Sequence, residues 1–144
     1  KEFLLISILK GSFVFSADLI RSLHRSGATP QIDFLTLSSY GSATQSSGHV
    51  EIKKDIDEIV KGKTILLVDD ILESGRTLSF AKNILTDRGA LSVELCVFLN
   101  KPGKRNVQIE AGFVGFDCPD KFVVGYGLDY AHYYRELPYV GFLR

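Results

Sequence analysis

The stretch "ILLVDDILESGRT", residues 65–77, decides how the rest of the chain is read. An apolar run leads into two adjacent carboxylates, Asp69 and Asp70, and then into a Ser-Gly turn from which a helical pattern starts. "TILLV" (64–68) is nearly all apolar, as expected of a central parallel strand covered on both faces. After the turn, Leu78, Ala81, Ile84 and Leu85 recur at helical spacing and Gly89 supplies a stop. A buried strand running straight into a helix is the repeating unit of α/β folds. Their ligands sit outside the carboxyl ends of the strands, often at a helix N-terminus.

The same unit recurs upstream. "FLLISIL" (3–9) reads as a buried strand, followed by Lys10-Gly11 and a helix with Ser12 as its N-cap. Phe13, Ala17, Ile20 and Leu23 form its apolar stripe, and Gly27 ends it. "IDFLTL" (32–37) reads as the next strand. The small, polar "SSYGSATQSSG" (38–48) reads as a mobile loop, and "HVEIKKDI" as the return arm of a hairpin. Downstream, "VELCVFL", "GFVGF" and "FVVGYG" are further strand candidates. The alternation implies one α/β domain over residues 1–144, with a mainly parallel sheet, right-handed crossovers and flanking helices. Lys10-Gly11, Asp69-Asp70 and Lys101 all fall at strand ends.

At 144 residues and 45% hydrophobic content, the chain can bury a substantial core. Seventeen basic and seventeen acidic side chains cancel, so no global positive field attracts nucleic acid or acidic membranes. Any anion must be held locally. No apolar run approaches the roughly 20 residues that a membrane span needs, and no signal-peptide pattern opens the chain. Cys96 and Cys118 make neither a metal spacing nor a disulfide framework, which fits a reduced cytoplasm. The sequence has no methionine and opens at Lys1 inside a strand-like run, so further N-terminal chain is expected before it.

The "ESGRT" turn offers consecutive backbone N–H groups, a permissive Gly75, the hydroxyls of Ser74 and Thr77, and the positive end of a helix. One phosphate fits there, and dipole and charge together contribute about 0.3–1 kcal/mol when exposed and ~2 kcal/mol when partly buried. Asp69 and Asp70 would repel that phosphate, so they must face a part of the ligand that donates protons or carries a cation. Ribose hydroxyls beside a 5′-phosphate meet the requirement, as does a divalent metal shared with the ligand. Two other phosphate motifs fail. "GKT" (62–64) has Asp57 where a Walker loop needs its first glycine and lies before its strand, and "GYGLDY" (125–130) lacks the third glycine of the dinucleotide fingerprint.

"VDDILESGRT" resembles the phosphoribosyl-pyrophosphate (PRPP) loop of type I phosphoribosyltransferases. The likeness continues through "LKGSFVFSADLI", "SSYG", "LNKP" and "DCPDKFVVGYGLDYAHYYREL", which resemble in particular the hypoxanthine-guanine phosphoribosyltransferases of purine salvage. It implies the type I fold, with a flexible lid hairpin and a small hood, and transfer of the phosphoribosyl group of PRPP to a 6-oxopurine. The products would be a nucleoside monophosphate and pyrophosphate.

By the same resemblance, Asp69, Asp70, Ser74, Gly75, Arg76 and Thr77 bind the ribose phosphate. Lys10, Gly11 and Arg135 hold pyrophosphate, with a non-proline cis peptide before Lys10. Ser39 and Tyr40 belong to the lid; Lys101, Phe122 and the backbone of Val123 bind the purine. Asp129, with Asp69 and Asp70, lies on the side of the Mg2+ ion. Lys101 would favour a 6-oxo group and reject adenine. Glu73 stands where the family usually has Asp and would act as general base toward the purine N7. Relatives are dimers or tetramers, so a homo-oligomer is implied, and relatives carry a helix before the first strand. The rival is an RNA-binding regulator of the same fold that senses PRPP or nucleotides. Such proteins usually have an aromatic at the position of Glu73 and a basic surface, which the neutral balance here does not offer.

Overall fold

The computed structural model describes residues 2–40 and 49–143. Six strands form the main sheet: β1 (Leu4–Leu9), β2 (Gln31–Tyr40), β3 (His49–Lys54), β4 (Thr64–Leu72), β5 (Ser92–Asn100) and β6 (Phe113–Asp117). Their order is β3-β2-β1-β4-β5-β6; only the β2–β3 pairing is antiparallel. Helix α1 (Phe13–Arg25) connects β1 to β2, and α2 (Arg76–Asp87) connects β4 to β5. A small antiparallel pair, β7 (Val123–Val124) and β8 (Gly141–Phe142), stands apart as a hood. This is the type I phosphoribosyltransferase-like α/β fold.

The two helices cover opposite faces. Leu78, Ala81 and Leu85 of α2 pack with Leu4, Ile6, Ile8, Ile65 and Leu67. On the other side, Phe15, Leu19, Ile20 and Leu23 of α1 pack against Leu5, Val68 and Cys96. The two-residue period of β1 explains the split, because alternate side chains of a strand leave opposite faces of the sheet. β1 and β4 are the central neighbours, so their carboxyl ends, and the turns that follow, lie side by side.

Three boundaries and one cap differ from the sequence reading. β4 does not stop at Val68 but runs through both aspartates, with Asp69 opposite Val97 and Leu72 opposite Asn100. Residues 38–40, read as loop, continue β2 because each finds an antiparallel partner in β3, Ser38 facing Glu51 and Tyr40 facing His49. The rest of that loop, 41–48, lies outside the described residues. "FVVGYG" keeps only Val123 and Val124 as strand, since Gly125, Tyr126 and Gly127 all have positive φ. Ser12 holds the N-cap position of α1, but its hydroxyl donates back to the Ile8 carbonyl instead of capping. Among the described residues no helix is long and apolar enough to cross a membrane.

Candidate active site

The turn after β1 is built by close approach. A Cβ on Gly11 would overlap the Asp70 carboxylate, and one on Gly127 would stand 2.8 Å from the Gly11 carbonyl. Glycine at both positions lets backbone, aspartate and hood meet. The Leu9–Lys10 peptide is cis, as the family resemblance implies. Lys10 itself is exposed at the tip. Below the turn lies a buried hydroxyl chain with a fixed direction. Ser12 gives its proton to the Ile8 carbonyl, so it accepts from Ser7 at 2.8 Å, and Ser7 in turn accepts from Ser16 at 2.7 Å.

The hood closes the same place from outside. Arg135 donates to the Gly127 carbonyl at 2.7 Å and lies 3.4 Å from Asp129, which also accepts the His132 amide at 2.8 Å and has the His132 Nδ1 at 3.9 Å. The Tyr126 phenol donates to Asp18 on α1 and its ring packs on Phe98 at 4.7 Å. Burial and the Asp18 charge push the phenol up to about 12, while the hydrogen bond from Tyr126 holds Asp18 below the usual carboxylate range.

At the end of β4, Asp69 is 8% exposed and accepts the Asp70 amide at 2.8 Å. Burial, with the Asp70 charge added, holds the Asp69 acid well above its ordinary range. Asp70, half-buried, presents its carboxylate to Gly11. Gly75, at φ +88°, turns the chain into α2. A Cβ there would sit 2.5 Å from the Ile109 side chain, which backs the turn. The Ser74 hydroxyl accepts the Arg76 amide at 3.3 Å, and Thr77 lies half-buried in the first turn of α2. With the Asn106 amide turned so that its oxygen faces the guanidinium, the orientation that satisfies both groups, Oδ1 accepts from Arg76 Nη2 at 3.1 Å and Nε at 3.2 Å, and the segment behind the turn engages Arg76.

Glu73 and Lys101 meet. Their Oε2 and Nζ lie 3.3 Å apart, and the same ammonium donates to the Lys121 carbonyl at 3.0 Å. Lys101 is 7% exposed, no solvated loop charge. That second bond draws the segment 121–123 alongside Glu73. Phe122 projects from it, 53% exposed, edge-on to Tyr130 at 6.0 Å, whereas Val123 is buried in the β7–β8 pair. Ser39 is an exposed position of β2; Tyr40 closes that strand, and its side chain is outside the described residues.

The site residues named from sequence thus lie at the carboxyl ends of the four adjacent strands β2, β1, β4 and β5 and in the hood, which supplies Phe122, Val123, Asp129 and Arg135. Sequence reading missed Arg105 and Asn106, which hold the turn from behind, because "NKPGKR" carries no signal that separates a structural arginine from a solvated one. It also missed the Ser7, Ser12 and Ser16 chain. Its signal was present in three small polar residues at apolar positions around a strand-to-helix junction. Among the described residues no group of three or more His, Cys, Asp or Glu is placed to hold a metal. Separate carboxylates at Asp70 and Asp129 suit a magnesium ion that arrives on a polyphosphate and keeps its own waters, since such an ion needs only one or two protein ligands.

A mixed sheet of this order, with glycine-bearing turns after its adjacent strands β1 and β4, defines a type I phosphoribosyltransferase architecture. The chain belongs to the phosphoribosyl transferase family: the family model of the phosphoribosyl transferase domain matches residues 1–131. It is 49% identical over 140 residues to the hypoxanthine phosphoribosyltransferase of Salmonella typhimurium, covering 97% of this chain and 77% of that protein. To the hypoxanthine-guanine phosphoribosyltransferase of Bacillus subtilis it is 48% identical over 141 residues, covering 98% and 77%. A crystal structure of a hypoxanthine phosphoribosyltransferase from Staphylococcus aureus superposes with a TM-score of 0.93 at 44% identity, covering 100% of this chain and 77% of that one.

Proposed function

We propose that this protein transfers the 5-phosphoribosyl group of PRPP to hypoxanthine or guanine, releasing pyrophosphate and forming the nucleoside monophosphate. The single observation that carries the reading is the Glu73–Lys101 pair, an acceptor and a donor 3.3 Å apart beside an exposed aromatic ring. A 6-oxopurine has an acceptor, O6, next to an N7 that carries a proton when N9 attacks. Adenine offers an amino donor at position 6 and would face the Lys101 ammonium donor to donor.

In this reaction the N9–C1′ bond forms as the bond from C1′ to the pyrophosphate oxygen breaks. The electron pair leaves with pyrophosphate, and the N7 proton passes to Glu73. Lys101 donates to O6, and Phe122 stacks on the base, which is worth roughly 1–3 kcal/mol for an aromatic ring. The Val123 backbone reads the base edge. Ser74, Gly75, Arg76 and Thr77 seat the 5′-phosphate, and Asp69 and Asp70 accept the ribose hydroxyls. Lys10, Gly11 and Arg135 hold pyrophosphate, and Ser39 and Tyr40 begin the lid that excludes water from the ribose cation. One or two from among Asp129, Asp69 and Asp70 would serve as ligands of Mg2+, which would supply charge neutralisation for the leaving pyrophosphate. A homo-oligomer belongs to the reading, supported by the exposed Phe113, Val114 and Phe116 on edge strand β6; so does a cytoplasmic setting, supported by the free thiols of Cys96 and Cys118.

The test is pyrophosphate release with PRPP and Mg2+, with hypoxanthine, guanine, xanthine, adenine and uracil assayed separately. Turnover with 6-oxopurines and none with adenine is the expected result. Equal turnover with adenine would overturn the roles of Lys101 and Glu73.

A further inference from the structure

We infer that Arg105 is a positioning residue that aims the backbone amides of Glu73, Ser74 and Gly75 into the 5′-phosphate seat, by holding carbonyls on the far side of the same peptide planes. Residues 105–107 reach three consecutive carbonyls, that of Leu72 at the end of β4 and those of Glu73 and Ser74 beyond it, and the Leu72 carbonyl also accepts the Lys101 amide at 2.9 Å. Arg105 Nη1 donates to the Leu72 carbonyl at 3.2 Å and to the Glu73 carbonyl at 2.9 Å. The amides of Asn106 and Val107 donate to the Ser74 carbonyl at 2.7 and 3.3 Å. The peptide bonds that follow these carbonyls are trans, since Leu9–Lys10 is the only cis bond among the described residues.

Across a planar trans peptide, the carbonyl of one residue and the N–H of the next point in opposite directions. Fixing the carbonyls of Leu72, Glu73 and Ser74 toward residues 105–107 therefore turns the N–H groups of Glu73, Ser74 and Gly75 away from that segment. Among the described residues none of these three amides donates in a turn, loop or cap hydrogen bond. They are left for a ligand, as backbone donors require a partner.

Arg105 is itself held in place. Its Nη2 donates to Asn100 Oδ1 at 2.8 Å, and Asn100 Nδ2 donates to Asp117 at 3.2 Å, which ties the guanidinium to β5 and β6. Its Cδ would stand 3.5 Å from a Cβ on Gly75. A planar fork can serve two carbonyls and an amide oxygen together, which a single ammonium on a flexible stem does not reproduce. The guanidinium touches the catalytic residue only through its main chain, so its effect should fall on phosphate recognition before it falls on the base.

The inference rests on the reading that this turn seats a 5′-phosphate, and the experiment separates the two. Binding of GMP and of guanosine is measured by calorimetry on the wild-type chain and on Arg105→Ala, Arg105→Lys and Asn100→Ala. Without a wild-type preference for GMP over guanosine, the phosphate seat and this inference both fail. With that preference present, Arg105→Ala should weaken GMP about tenfold and leave guanosine unchanged, as expected from losing charge-assisted hydrogen bonds that preorganise donors. Arg105→Lys should recover only part of the loss, and guanidinium chloride at a non-denaturing concentration should restore GMP binding to Arg105→Ala. Equal loss for GMP and guanosine, or none for either, would overturn the role of Arg105. Should Arg105→Ala not fold, Asn100→Ala decides: a loss of about threefold confined to GMP supports the inference, and no loss overturns it.

Discussion

The turns after β1 and β4 occupy equivalent places, at the carboxyl ends of adjacent parallel strands and ahead of helices on opposite faces, yet they are supported from opposite directions. The first is held from within, by the Ser16-Ser7-Ser12 hydroxyl chain that ends on the Ile8 carbonyl, and it has almost no width because Gly11 lies against Asp70 and Gly127. The second is held from behind, by residues 105–107 on its carbonyls and Ile109 against Gly75. One turn makes room by removing side chains; the other makes donors available by engaging its acceptors. Topology alone thus places a turn at a strand end without deciding how it is held.

The comparison is most open to attack at Glu73, the one side chain of the second turn assigned a proton transfer. Glu73→Gln should lower kcat about 10²- to 10⁴-fold, the usual range for a general base; unchanged steady-state turnover would remove the chemical distinction between the turns. Next comes Gly11→Ala, which forces a methyl into the Asp70 carboxylate. The expected result is about a tenfold fall in kcat/KM for PRPP, in line with overpacking costs of about 1–3 kcal/mol; wild-type kinetics would show that the first turn has slack.

Ser7→Ala sharpens the contrast in how the turns are held. It leaves the Ser16 hydroxyl without its acceptor in a buried place, so urea unfolding should report a loss of about 1–3 kcal/mol. No loss would mean that the hydroxyl chain carries none of the support for the first turn.

The smallest effect is expected at the outer wall, in Tyr126→Phe. The folded phenol titrates at about 12, above the roughly 10 of an unfolded tyrosine. Between those values the unfolded chain releases a proton that the native state keeps. The stabilisation is therefore whole below pH 10 and lost as pH rises through about 12. Melting temperature should fall more steeply over that interval in the wild type than in Tyr126→Phe; parallel curves would remove the Tyr126–Asp18 bond as a stabilising contact.

Much of this molecule was legible from residue order. The near-continuous apolar runs of β1 and β4 and the inward face of α2 at Leu78, Ala81 and Leu85 lie where pattern places them, because burial dictates both, whereas α1 packs through Phe15, Leu19, Ile20 and Leu23 and leaves Phe13, read into its apolar stripe, 45% exposed. Gly27 and Gly89 mark helix ends for a backbone reason, each adopting a positive φ that other residues avoid. The boundaries of β2 and β4 were less legible, since Ser38, Ser39 and Asp69 are polar residues kept in strands by partners far away in sequence. Arg105 was invisible for the same reason, because its meaning depends on the carbonyls of Leu72 and Glu73, far upstream in the sequence.

The second turn carries a consequence for the economy of the cell. If that turn takes the 5′-phosphate as proposed, a seat whose donors are aimed before any ligand arrives would meet the same group on incoming PRPP and on outgoing nucleotide. It would not tell supply from output. Accumulating nucleotide would then compete with PRPP for the same amides, and a pool already filled would throttle its own refilling.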